Sequence, residues 1–232
     1  MRIKKYFDNY YKNVIINNNH NVKDIVENSK MASLDSVFVA IKGYKHNGID
    51  YIEEAIKNGA KTIIFDEEIS FSNKNVNFIK VCDAKVELAR LLNWFYQKKS
   101  KPKIIAVTGT NGKTSVTMYT FNALKKLNIN CLLIGTEENI SFYNGRLRYI
   151  RASNTTPSIT TIYQLMMEHP YKYLIMEASS QGICEGRLLG LTFRVACFTN
   201  ITQDHLDYHK TMDNYANAKS RIVYQLEDEG IR

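Results

Sequence analysis

Two hydrophobic periods alternate along the 232 residues, and their alternation predicts strands followed by helices. Val37-Phe-Val-Ala-Ile41 is a continuous apolar run after Ser36, ended by Gly43, and reads as a short strand. Tyr51 to Lys57 has helical spacing, with Gly59 as its stop. Lys61-Thr-Ile-Ile-Phe65 and Phe78-Ile-Lys-Val81 are further strands. Ala84 to Gln97 is an amphipathic helix with Leu88, Leu91, Leu92 and Phe95 on one face. The Asn-rich opening stretch has only weak periodicity. Strands alternating with helices imply a parallel or mixed sheet, hence an α/β fold.

Lys98-Lys-Ser-Lys-Pro-Lys103 is charged, carries one of three prolines and separates that helix from a new apolar strand. The boundary belongs here, giving domains over 1–100 and 101–232. In the second, Ile104 to Val107 is a strand, Thr108 to Gly112 a loop, and Lys113 to Leu127 a helix with Val116, Phe121 and Leu124 facing inward. Cys131 to Ile134 is the next strand. Asn144-Gly145, between Ser141-Phe-Tyr and Leu147-Arg-Tyr, signals a hairpin. A helix over Ile159 to Met167 follows. Tyr173 to Met176 and Val195 to Phe198 read as buried strands, each with polar residues at its carboxyl end, where ligands of open α/β sheets collect. A helix from Asn214 to Leu226 comes last, with no later strand expected.

Composition narrows the class. Hydrophobic residues make up 44% of the chain and prolines number 3, which excludes wholesale disorder. No apolar run approaches the ~20 residues that span a bilayer, and Met1 to Tyr11 lacks a signal peptide's apolar region. A cytoplasmic protein without membrane association is expected. Cys82, Cys131, Cys184 and Cys197 form no C-x-x-C pair and are expected to be reduced core thiols. The net charge of +8 suits an anionic partner. The basic residues are scattered and no zinc-finger, RRM or KH signature occurs, so nucleic acid is not the expected one.

The strongest chemical signal is Thr108-Gly-Thr-Asn-Gly-Lys-Thr114, placed between an apolar strand and a helix. Glycines permit a tight backbone path, successive N–H groups and a helix N-terminus form an anion cradle, Lys113 reaches phosphates, and the Thr114 hydroxyl suits Mg²⁺. Val107 replaces the first glycine of the strict phosphate-loop pattern. Glu177 follows a strand in Glu177-Ala-Ser-Ser-Gln-Gly182, either as a metal ligand or water organiser or as a solvated strand end. His205 and His209, four apart, would share one face of a helix, although either alone reads first as a satisfied surface or helix-cap residue. The zinc-protease reading fails because Leu206 stands where a glutamate is required, and a hard, oxygen-preferring metal suits this setting better. Asn154-Thr-Thr-Pro-Ser158 precedes a helix, so one hydroxyl serves equally well as its N-cap, with Pro157 near the first turn. Spacing alone assigns Lys219 no task.

Taken in order, these strings resemble the Mur ligase family: Thr108 to Ser115, Asn154-Thr-Thr156, Met176-Glu-Ala-Ser-Ser180, Arg187, Phe198-Thr-Asn200, Asp204-His-Leu-Asp-Tyr-His209 and Ala218-Lys219. Asn28-Ser-Lys30 followed by Val37 to Gly43 is similar to the family's first-domain segments, so the resemblance runs from about residue 25 onward. It implies a small N-terminal α/β UDP-binding domain and a central phosphate-loop ATPase domain, incomplete here, with the family's third domain absent. It implies ATP-dependent amide-bond formation in peptidoglycan synthesis. A carboxylate of UDP-MurNAc-L-Ala-D-Glu takes the γ-phosphoryl group as an acyl phosphate, and the amine of diaminopimelate or lysine displaces phosphate.

By that resemblance, Gly109, Thr110, Asn111, Gly112, Lys113, Thr114 and Ser115 bind ATP. Thr114 and Glu177 hold one Mg²⁺, Glu177 with His205 a second, and Lys219 is carbamylated. Ser29 and the loop Tyr44-Lys45-His46 contact uridine diphosphate. Asn154, Thr155, Thr156, Ser179, Glu185 and Arg187 contact the muramoyl-dipeptide, Arg187 by its planar fork. A monomer is expected. The chain departs from the family at Asn28 and Lys30, where Asp and Arg are usual, at Gln181, often His, and at Glu185, often Gln. The competing reading is a non-catalytic Mur-like module that binds nucleotide or UDP-sugar without turnover.

Overall fold

The opening stretch forms a helix, α1 (Ile3–Tyr10), because Ile3, Tyr6 and Phe7 recur at helical spacing and are all buried. Its weak periodicity in the sequence reflects a stripe only three residues long. The computed structural model describes residues 1–12, 14–43, 46–71, 73–152 and 154–231, residues 229–231 by backbone alone. Two compact units divide the chain, residues 1–97 and 98–232.

In the first unit, strands β1 (Ile25–Val26), β2 (Val37–Val39), β3 (Thr62–Phe65) and β4 (Asn77–Lys80) form a fully parallel sheet in sequence order. Helix α2 (Ile52–Lys57) packs Ile52 and Ala55 into a core with Phe38 and Ile63. Helix α3 (Ala84–Phe95) is capped by Asp83, whose carboxylate accepts the amides of Lys85 and Val86 at 2.8 and 3.0 Å. Tyr6 packs edge-on against Trp94 at 5.1 Å, and the buried Glu87 carboxylate accepts the hydroxyls of Tyr6 and Tyr11 while pairing with Arg90 at 2.8 Å. This cluster fastens α1 to α3. Burial and the Glu87 carboxylate together push both phenols well above the usual tyrosine range, so they remain donors.

The second unit is a seven-stranded sheet. Its elements are β5 (Lys103–Thr108), α4 (Lys113–Lys126), β6 (Cys131–Ile134), β7 (Glu138–Tyr143), β8 (Arg146–Arg151), α5 (Ile159–Met166), β9 (Tyr173–Glu177), α6 (Ser180–Cys184), β10 (Phe193–Phe198), α7 (Leu206–His209), α8 (Met212–Ser220) and β11 (Leu226–Ile231). Spatial order is β11-β10-β5-β9-β6-β7-β8. All neighbours run parallel except β6-β7 and β7-β8. The β7-β8 hairpin turns on Asn144 and Gly145 with φ of 49° and 75°, the left-handed pair that a two-residue hairpin requires. With β9 and β10 on either side of it, β5 is central, and its carboxyl end lies among theirs.

Several expectations are corrected here. The helix expected over Asn214 to Leu226 ends at Ser220, continues as a tighter turn over Arg221–Gln225, and gives way to β11. A strand therefore does follow, because the unpaired edge of β10 offers a ladder that local propensity cannot reveal. On α4 the buried positions are Thr117 and Phe121; Leu124 is partly buried against the core and Val116 is only half-buried. Of the four free thiols only Cys131 is buried, whereas Cys82 is exposed just past the carboxyl end of β4. Ser158 caps α5, which leaves Pro157 before the cap rather than within the first turn. Among the described residues no helix is long and apolar enough to cross a membrane.

Candidate active site

The loop between β5 and α4 owes its path to two glycines. Gly109 has φ of +141°, and a Cβ there would meet Thr199 Oγ1 at 1.9 Å; Gly112 has φ of +84° and leads into α4. The end of β10 holds the loop from outside. Thr110 N–H donates to the Asn200 carbonyl and Asn111 N–H to Asn200 Oδ1, each at 3.0 Å, while Thr199 Oγ1 donates to the Asn111 carbonyl at 2.7 Å. Below it, Tyr215 on α8 donates its hydroxyl to Thr110 Oγ1 at 3.2 Å. No side chain caps α4, so its first amides, together with the loop, present donors and the positive helix end to an anion.

Two ammonium groups converge on this loop. Lys113 Nζ donates to the carbonyls of Gly109 and Thr110 at 3.0 and 2.9 Å, and Lys219 Nζ donates to the same Gly109 carbonyl at 2.8 Å. At most about 6 Å separates the two cations, a repulsion on the order of 3 kcal/mol at an effective dielectric of about 20. Lys219 is only 1% exposed and lies over the Tyr215 ring, 4.6 Å from its centre. Burial first, and Lys113 second, lower its amine from 10.5 to about 8.

Opposite α4, Glu177 is buried at the end of β9. Its Oε2 accepts the hydroxyls of Thr114 at 3.1 Å and Thr136 at 2.9 Å, and its Oε1 accepts the Thr136 amide at 3.1 Å. The buried Thr156 donates to the Glu177 carbonyl and accepts the Ser179 amide, both at 2.9 Å. Arg187 donates to the Thr156 carbonyl at 2.7 Å and to Glu185 at 2.9 Å. Ser179 also caps α6.

These groups surround one cavity of about 450 Å³. Residues 110–115 line it, as do Asn154, Thr155, Thr156, Glu177, Ser179, Arg187 and His205. Gly109 and Lys219 support the loop, and Glu185 reaches the lining through Arg187. The two histidine rings both pack against Tyr215, at 6.2 and 5.1 Å between ring centres, but in different settings. His205 has a left-handed backbone, φ of 52°, ahead of α7 and is exposed, whereas His209 is buried and bonded to Ser180 Oγ at 2.9 Å. Burial, His205 and Lys219 hold His209 below the usual imidazole range. Among the described residues no three His, Cys, Asp or Glu gather at metal-ligand spacing. A hard cation here would rest on Thr114 and Glu177 oxygens, a set that suits Mg²⁺ when phosphate and water complete it.

Two further residues join the site, Thr136 on Glu177 and Tyr215 on Thr110. Thr136 follows a strand's carboxyl end, a usable signal; Tyr215 stands four before Lys219, a spacing that puts them on one helix face. In the first unit, Ser29 and His46 line a separate cavity of about 440 Å³ at the carboxyl ends of β1 and β2. There Ser29 donates its hydroxyl to Glu54, and His46 Nδ1 lies 3.3 Å from the Tyr51 hydroxyl. Tyr44 and Lys45 lie outside the described residues.

The model of the Mur ligase middle domain matches residues 107–232, and that of the Mur ligase family catalytic domain matches residues 26–97. The UDP-N-acetylmuramoyl-L-alanyl-D-glutamate-2,6-diaminopimelate ligase of Caldanaerobacter subterraneus subsp. tengcongensis is 38% identical over 210 residues, 89% of this chain and 42% of that protein. The ligase of the same name from Clostridium tetani is 38% identical over 229 residues, 94% of this chain and 46% of that protein. A solved structure with this ligase name superposes with a TM-score of 0.75 at 26% identity, over 90% of this chain and 42% of that one. A MurF ligase from Thermotoga maritima in complex with ADP shares the fold, with a TM-score of 0.64 at 22% identity over 90% of this chain and 44% of that one. The chain spans less than half the length of these curated relatives. With one family model covering more than half of its residues, and the phosphate loop and Glu177 seated as described, the chain belongs to the Mur ligase family.

Proposed function

We propose that this chain carries the nucleotide-binding and acceptor-binding parts of an ATP-dependent ligase that adds an amino acid to UDP-MurNAc-L-Ala-D-Glu through an acyl phosphate. The names of its relatives favour diaminopimelate over lysine as the amino acid added. The observation that carries the reading is the meeting, on one cavity, of a glycine-shaped loop, uncapped helix amides, two converging ammonium groups and a buried carboxylate facing a threonine hydroxyl.

The chemical problem is to bring a polyphosphate against a carboxylate, both negative, so alignment and charge neutralisation dominate. The amides of residues 109–115 receive phosphate oxygens. Lys113, which donates to two carbonyls of the loop, turns to the phosphates and neutralises charge there. Thr114 and Glu177, with His205 on a second site, hold Mg²⁺, which supplies Lewis-acid stabilisation of phosphoryl oxygens. Arg187 offers its guanidinium to the acceptor carboxylate, with Asn154, Thr155, Thr156 and Ser179 beside it and Glu185 ordering the fork. Ser29 and His46, with Tyr44 and Lys45, are assigned to the uridine diphosphate end. Lys219 is set for carbamylation. With its amine near 8, roughly a quarter is neutral at about pH 7.5, against about 0.1% for an ordinary lysine. The neutral amine attacks CO₂, forms an N–C bond and loses a proton, and the resulting anion beside Lys113 replaces repulsion with attraction.

Calorimetric titration with ADP, with and without Mg²⁺, and with UDP-MurNAc-L-Ala-D-Glu tests the reading, followed by phosphate release from ATP with candidate amino acids. Binding of both ligands supports it. Binding without phosphate release under any condition selects the non-catalytic module instead, and failure to bind either ligand overturns both.

A further inference from the structure

Glu177 ends in a carboxylate whose last torsion is intrinsically loose, so something must aim it. Its two oxygens are held differently. A Cβ on Gly135 would come within 2.9 Å of Oε1, so the bare strand end gives that oxygen its seat, and the Thr136 amide bonds it at 3.1 Å. The amide is present whatever residue occupies position 136. Oε2, the oxygen facing Thr114, is restrained on the other side by the Thr136 hydroxyl at 2.9 Å.

The direction of that hydroxyl is itself set. Thr136 Oγ1 lies 3.2 Å from Thr155 Oγ1, and Thr136 has one hydroxyl proton to give. Of these two acceptors the charged carboxylate is the stronger and the nearer, so the Thr136 proton goes to Glu177. The segment carrying Thr155 also grips Glu177 from behind, because its neighbour Thr156 donates to the Glu177 carbonyl. Glu177 is thereby tied to the 154–156 segment at its backbone.

The geometry points to Thr136 as the positioning residue of the site: its hydroxyl aims Glu177 Oε2 at Thr114 and so sets how strongly a divalent cation supports nucleotide binding. This rests on the nucleotide-and-Mg²⁺ reading above, and Thr136 lines the same cavity as Glu177 and Thr114. Thr136 is exposed at the cavity rim, so replacing it leaves the core intact.

The test compares ADP affinity with and without Mg²⁺ for the whole chain, Thr136→Val and Thr136→Ser, with thermal unfolding to verify that all three fold alike. In the unaltered chain Mg²⁺ tightens ADP binding. Thr136→Val is expected to lose at least fivefold of that tightening while keeping its Mg²⁺-free affinity, and Thr136→Ser to stay within twofold of the unaltered chain. If Thr136→Val keeps the full Mg²⁺ effect, or Thr136→Ser loses as much as Thr136→Val, the hydroxyl does not aim the carboxylate and the proposal fails. An unaltered chain that binds ADP with no Mg²⁺ effect overturns the metal reading itself, and this proposal with it.

Discussion

Replacing Lys219 by methionine isolates the electrostatics of the loop. The substitution keeps most of the side-chain length and removes the charge. Holding a lysine at about 8 instead of 10.5 means that its ammonium form costs the folded state about 3 kcal/mol relative to the unfolded chain. The sign follows from proton counts. Between about pH 8 and 10.5 the unfolded chain still carries the proton and the folded one does not, so the unaltered protein gains stability as pH rises through this window. The gain is about 2 kcal/mol from about pH 7 to about pH 9.5. In Lys219→Met this contribution is gone, while the titrating groups that do not interact with Lys219 are common to both chains and cancel in the difference. Urea unfolding followed by far-ultraviolet circular dichroism at these two pH values measures it, with CO₂ excluded to keep the amine unmodified. A stability difference between the two chains that stays flat with pH would show that Lys219 titrates as an ordinary lysine, and the account of its reactivity would fall with it.

Three further outcomes are expected. Lys113→Ala should weaken ADP binding roughly 100-fold, about 3 kcal/mol, because charge-assisted bonds to phosphate are lost; calorimetry that finds unchanged affinity refutes the cradle. Gly109→Ala forces a side chain into a left-handed backbone and against Thr199, so unfolding free energy should drop by about 2–4 kcal/mol, and an unchanged melting temperature would contradict the loop path. In the first unit, Glu87→Gln removes the charged acceptor of both Tyr6 and Tyr11 and turns an NH₂ donor toward one of their hydroxyls, which should cost about 2–3 kcal/mol. Trp94, the one tryptophan in the chain, packs on Tyr6 and reports that transition by fluorescence.

Some of this molecule is written in short stretches of sequence. The phosphate loop, the strand before it and the helix after it follow from seven adjacent residues and their flanks, since glycine freedom, helix-terminus donors and apolar runs are local properties. The hairpin at Asn144-Gly145 is legible for the same reason. Local information fails where the deciding partner is remote. Thr114 meets Glu177 across 63 positions, Tyr215 meets Thr110 across 105, and Lys219 meets Gly109 across 110. Spacing therefore assigns Lys219 no task and does not reveal the partner of His209, Ser180, which lies on another helix. The same holds for α1, anchored by Glu87 and Trp94, and for β11, which takes its conformation from the free edge of β10. Side-chain chemistry and turn geometry are carried by neighbours along the chain, whereas burial, charge pairing and strand-edge pairing arise only when folding brings distant segments into contact.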